Sequence, residues 1–120
     1  LIVEDDQSML KLLVSIFKRE GLAVHTCADG HAAMNFIDTA PVVKIVLLDS
    51  LLPYKNGLQL LQHIKNKPGW DRTSVIIMAD NMLEKDRIAA IKAGAEVVEK
   101  PFNPRELAAK VHRLLQRWNA

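Results

Sequence analysis

Lys44-Ile45-Val46-Leu47-Leu48-Asp49 decides the fold: an apolar run closed by an acid, with Pro53 and Gly57 shortly beyond it. Extended back to Val42, the run is what a central strand covered on both faces requires. Its closing acid would then sit at the carboxyl end of that strand. In an open parallel α/β sheet those ends form one rim, and ligands bind in the crevice outside it. The same ending recurs twice. Leu1-Ile2-Val3 runs into Glu4-Asp5, and Val97-Val98 leads to Lys100-Pro101. Three acids and one lysine, distant in sequence, are therefore expected to meet at one rim.

Working outward, apolar runs alternate with segments of helical period, the pattern of βα units around a parallel sheet. Met9, Leu12, Leu13, Ile16 and Phe17 predict one face of a first helix, with Gly21 as its C-terminal cap. Leu22 to Cys27 predicts a second strand, and Asp29-Gly30 a turn. His31 to Thr39 suits a short helix stopped by Pro41. A third helix should start near Gly57, bury Leu58, Leu61 and Ile64, and end before Pro68-Gly69. Val75 to Met78 predicts strand four. Met82 to Ala93 predicts a helix with Ile88 and Ile91 inward and Gly94 as cap. The last helix should take Asn103 as N-cap and Pro104 as its first residue, burying Leu107, Val111, Leu114, Leu115 and Trp118. The loop Asn66 to Ser74, with Trp70, is expected to be structural and remote from the acids.

A chain of 120 residues, 49% apolar and 25% charged, fits one globular domain with its own core. Its net charge of +2 comes without a cationic run, which argues against direct nucleic-acid binding. Cys27 is the single cysteine; it allows no internal disulfide, is expected to be a buried strand residue, and points to a reducing, cytoplasmic setting. No stretch reaches the roughly 20 apolar residues of a membrane span. The chain opens inside an apolar run at Leu1, and the expectation is that residues 1–120 are one module excised from a longer protein. His25, His31, His63 and His112 are dispersed without ligand spacing and read as surface residues.

If Glu4, Asp5 and Asp49 converge, their like charges call for a cation. Mg²⁺ suits such a site, since it binds through one or two carboxylates and takes phosphate oxygens among its remaining ligands. A carboxylate can also act as a nucleophile and form an aspartyl phosphate. Asp49, at the end of the most central strand, is the candidate. Lys100 would supply a compact positive charge for a phosphoryl oxygen. Each residue alone also has a plainer role. Asp5 or Asp6 could be an N-cap, Asp6 the better placed of the two, Asp49 a turn former and Lys100 a solvated lysine.

Taken together, Val3-Glu4-Asp5, Asp49 with Pro53 and Gly57, Ala93-Gly94-Ala95, and Lys100-Pro101-Phe102 resemble the motifs of the receiver domain of two-component response regulators. The resemblance covers the whole chain. It implies a doubly wound, flavodoxin-like (βα)5 fold with a five-stranded parallel sheet in the order 2-1-3-4-5. It implies that Asp49 accepts a phosphoryl group from a histidine kinase or histidine phosphotransfer protein. Mg²⁺ would be held by Glu4, Asp5, Asp49 and the backbone carbonyl of Leu51. Lys100 would contact the phosphoryl group and precede a cis peptide bond to Pro101. A fused or separate output domain, and pairing of two copies through the face of the fourth and fifth helices, belong to the same expectation.

The chain departs from the family's pattern at its switch positions. Where a Thr or Ser usually ends strand four, Ala79 stands, or Met78 if the gap is placed differently, and neither has a hydroxyl. The usual aromatic of strand five is replaced by Val97 or Val98. The phosphorylation pocket is thus expected to persist while its route to the fourth and fifth helices is weakened. Asp80, where the family is usually small, would either repel a phosphodonor or cap the fourth helix; the cap is the expectation. Leu51 and Asn81 should flank the site.

The leading reading is a phosphoacceptor signalling domain that is not a turnover enzyme. The alternative is a degenerate receiver acting by protein contact independent of phosphorylation. An aspartyl-phosphate hydrolase would need a second acid two residues past its nucleophile, where Leu51 stands. A flavin-binding module would need a phosphate loop after strand one, where Glu4-Asp5-Asp6 would repel it.

Overall fold

In the computed structural model, which describes residues 1–119, five parallel strands form one sheet in the order β2-β1-β3-β4-β5. The strands are β1 (Ile2–Val3), β2 (Thr26–Cys27), β3 (Ile45–Asp49), β4 (Ser74–Ala79) and β5 (Glu96–Glu99). They alternate with α1 (Gln7–Arg19), α2 (Gly30–Thr39), α3 (Gly57–Asn66), α4 (Glu84–Lys92) and α5 (Pro104–Trp118). This is the doubly wound fold with the expected strand order.

Alternation along the strands sends side chains to two apolar layers. Val46, Leu48, Val75 and Ile77 pack with residues of α2 and α3 such as Ile37, Leu60 and Ile64. Leu47, Ile76 and Met78 pack with Leu13 and Phe17 of α1 and Leu107, Val111 and Leu114 of α5. Because β3 and β4 are covered on both sides, their runs could be continuously apolar. Cys27 and Trp70 are buried, Trp70 holding the α3–β4 loop as expected.

Helix termini follow local chemistry. The Asp6 carboxylate accepts from the Ser8 and Met9 amides and caps α1. Asn56 and Gln59 form a reciprocal capping box on α3. Asn103 caps α5 ahead of Pro104. Gly94, at φ 93°, ends α4 in a conformation that side chains disfavour.

Several expectations need correction. Ile88 and Ile91 are 45% and 54% exposed. In α4 the buried residue is Ala90, flanked by the half-buried Asp86 and Ala93 at helical spacing. Small side chains bring the helix close to the sheet, and the two isoleucines fall on the other face. Leu12 is 45% exposed because the buried stripe of α1 runs through Leu13 and Phe17. Strand β2 is confined to Thr26–Cys27, the two residues that pair with the two of β1; β3 begins at Ile45 and leaves Val42 exposed. Leu115 and Trp118 are half-buried; Trp118 carries the Arg72 guanidinium 4.7 Å above its ring. Among the described residues no helix is long and apolar enough to cross a membrane.

Candidate functional site

The end of β3 sits where three elements meet. Its Asp49 lies opposite Met78 of β4 in register, and α3 begins against it. A Cβ on Gly57 would fall 2.8 Å from the Asp49 carbonyl oxygen and 2.8 Å from Leu48 Cδ1, so only glycine lets α3 start this close. Gly30 does the same for α2. A Cβ there would fall 2.5 Å from the Lys55 carbonyl oxygen, and its amide donates to the Pro53 carbonyl at 3.0 Å. The loop between β3 and α3 is thereby clamped, with Tyr54 at φ 72°.

The rim brings together every charged residue the sequence placed there. Glu4, Asp5 and Asp49 each offer a carboxylate oxygen, all within 4.8 Å of one another. Lys100 Nζ donates to Asp49 Oδ2 at 3.0 Å and stands 3.8 Å from Glu4 Oε2. The Lys100 amide donates to the Ala79 carbonyl at 2.9 Å, and its bond to Pro101 is cis. Asp49 Oδ1 accepts from the Leu51 amide at 3.2 Å. Asp5 is exposed, whereas Glu4 and Asp49 are buried.

Glu4 is wholly inaccessible. One oxygen accepts from the Asp6 amide at 3.2 Å, while Oε2 has no hydrogen-bond partner. Burial first, and then the Asp49 charge, push its carboxyl up to about 7. Burial works to lower the Lys100 pKa, but the hydrogen bond and charge of Asp49, with the charges of Glu4 and Asp80, outweigh it and hold the ammonium above its ordinary value. Three clustered carboxylates, one with an orphaned buried oxygen, are an oxygen-rich donor set that fits a hard divalent cation such as Mg²⁺.

The flanking residues are distributed differently from expectation in one respect. Leu51 is 66% exposed, Asn81 is exposed at φ 55°, and Ala79 is fully buried at the end of β4. Asp80 is exposed and caps nothing: α4 starts three residues later than its position would need, with Leu83 at the N-cap and no side-chain cap bond. Val97 packs into the α2–α3 layer and Val98 into the α1–α5 layer. One residue escaped the sequence reading altogether. Ser50 is buried and its Oγ has no partner; the available signal was a hydroxyl residue directly behind the acid that closes the central strand.

Comparison with known proteins is consistent with this geometry. The model of the response regulator receiver domain family matches residues 1–112. The chain is 33% identical to the transcriptional regulatory protein CpxR of Escherichia coli (strain K12) over 118 residues, which cover 98% of this chain and 49% of that protein. It is 36% identical to the aerobic respiration control protein ArcA of the same strain, covering 98% and 48%. It thus spans about half the length of these curated relatives. Its fold is similar to the crystal structure of a CheY-like receiver domain protein from Methanospirillum hungatei JF-1, with a TM-score of 0.86, 27% identity, and 98% and 94% of the two chains covered.

Proposed function

The chain belongs to the response regulator receiver domain family, and on that premise we propose that Asp49 is its phosphoacceptor. The observation that carries the reading is the pairing of a buried carboxylate with the Lys100 ammonium beside an orphaned Glu4 oxygen. A carboxylate so placed is fixed in direction, with a positive charge already beside it.

In the proposed reaction a histidine kinase or histidine phosphotransfer protein presents a phosphohistidine to the rim. An Asp49 carboxylate oxygen attacks phosphorus, an O–P bond forms, and the N–P bond breaks with its electron pair returning to the imidazole. Lys100 shifts its contact from Asp49 to a phosphoryl oxygen as negative charge moves outward. Glu4, Asp5, Asp49 and the Leu51 carbonyl would hold Mg²⁺, which when bound neutralises charge on the transferring group. Water later hydrolyses the acyl phosphate, so the domain resets without turning over an external substrate. We place this domain in a larger regulator whose output lies outside residues 1–120.

Borohydride reduction tests the assignment. Protein treated with Mg²⁺ and a small phosphodonor is reduced, which converts an aspartyl phosphate to homoserine, and peptide sequencing should find homoserine at position 49. Homoserine at another acid would overturn it. The second reading, a receiver that acts by constitutive contact, is favoured by Ala79, which leaves the end of β4 without a hydroxyl.

A further inference from the structure

Among the described residues two buried side-chain polar atoms lack a hydrogen-bond partner, Glu4 Oε2 and Ser50 Oγ. The acidic cluster accounts for the first. Buried hydroxyls nearly always find a partner, so the second calls for a reason.

Ser50 follows Asp49 directly and is 8% exposed. Its backbone is pinned on both sides: its amide donates to the Met78 carbonyl at 2.9 Å, and its carbonyl accepts from the Gly57 amide at 3.2 Å. A Cβ on Gly57 would stand 3.1 Å from Ser50 Cα, so the first turn of α3 packs directly on it. Rotation about χ1 is the freedom that remains to the hydroxyl. Because Asp49 pairs with Met78, Ser50 stands beside Ala79. Two small side chains are therefore neighbours at the rim, and of the two only Ser50 carries a donor.

We propose that Ser50 Oγ donates a hydrogen bond to an oxygen of the phosphoryl group carried by Asp49, so that this group is held from β3 and the β3–α3 loop instead of from the end of β4. The proposal rests on Asp49 being the phosphoacceptor. An aspartyl phosphate brings strong acceptor oxygens one residue from a donor that has none. Ala79 offers nothing to draw β4 toward those oxygens. The segment that responds is then Ser50 to Gly57, clamped between the starts of α2 and α3.

Beryllofluoride, which mimics a phosphoryl group on an aspartate, tests this when titrated with Mg²⁺ and followed by ¹⁹F NMR. Ser50→Ala should bind it about five-fold more weakly than wild type, the loss of one net hydrogen bond. Adding Ala79→Thr to that variant should restore binding by offering a hydroxyl from the adjacent strand. Thermal unfolding without beryllofluoride should show Ser50→Ala at least as stable as wild type, since it removes an unpaired buried group; weaker binding then reports the contact and not misfolding. Equal affinity in wild type and Ser50→Ala overturns this proposal alone. A wild type that binds no beryllofluoride overturns the phosphoacceptor reading, and this proposal with it.

Discussion

Lys100 Nζ reaches Asp49 Oδ2 at 3.0 Å, a contact that spans from the end of β5 to the end of β3 across the intervening β4. The lysine backbone is itself tied to β4 through the Ala79 carbonyl. Three strand ends thus share one ion pair, and the charge balance of the rim depends on it.

Lys100→Met removes that counter-charge and leaves Glu4 and Asp49 facing each other. Metal-free stability at neutral pH should fall by about 1–3 kcal/mol, because an interior charge loses its partner. Mg²⁺ should recover much of the loss, since a cation substitutes for the ammonium. Urea unfolding with and without Mg²⁺ reads both effects. Equal destabilisation in the two conditions would contradict the charge-balance account.

Glu4 makes the metal-free protein unusual in its pH response. Its folded-state pKa of about 7 lies above the ordinary 4.5, so the folded state holds this proton more tightly than the unfolded one. The contribution is fully present below about 4.5 and is lost as pH rises through about 7, on the order of 3 kcal/mol at most. Mg²⁺ requires the ionised carboxylate, so its apparent affinity should rise with pH across the same window. In Glu4→Gln the stability slope attributable to this group should vanish and Mg²⁺ should bind more weakly, as measured by denaturation at a series of pH values and by calorimetry.

Glycine substitutions should separate close approach from backbone conformation. Gly57→Ala places a methyl against the Asp49 carbonyl and Leu48, and should cost about 1–3 kcal/mol while weakening Mg²⁺ binding through displacement of Asp49. Gly94→Ala meets nothing within 4 Å but must adopt φ 93°. It should cost about 1 kcal/mol and leave Mg²⁺ affinity unchanged.

Ala79 and Val97 should limit how far a phosphoryl signal travels. Amide shifts on adding beryllofluoride should concentrate between Asp49 and Leu58 and stay small over Glu84–Lys92 and the exposed face of α5. Large shifts across α4, β5 and α5 would mean that another route replaces the missing hydroxyl and aromatic ring.

The charged rim was legible because each of its members closes an apolar run, and the strand order of a parallel sheet then gathers those ends whatever their separation in sequence. Asn103-Pro104 and Gly94 were legible because caps are local chemistry. The face of α4 was not, since Ile88 and Ile91 suggest an inward stripe by bulk while the period that governs packing runs through Ala90 and Ala93. Asp80 looked like a cap, but the helix start is set three residues later by the path of the β4–α4 loop. Ser50 was invisible because a serine after a strand is an ordinary turn residue until its burial and its unpaired hydroxyl are seen.

Intact mass after incubation with Mg²⁺ and acetyl phosphate, with Asp49→Asn alongside, tests the central claim most directly. One added phosphoryl group, dependent on Mg²⁺ and lost in the variant, is the predicted result. A protein that stays unmodified under conditions that phosphorylate another receiver domain, or a variant modified as readily as wild type, would contradict it.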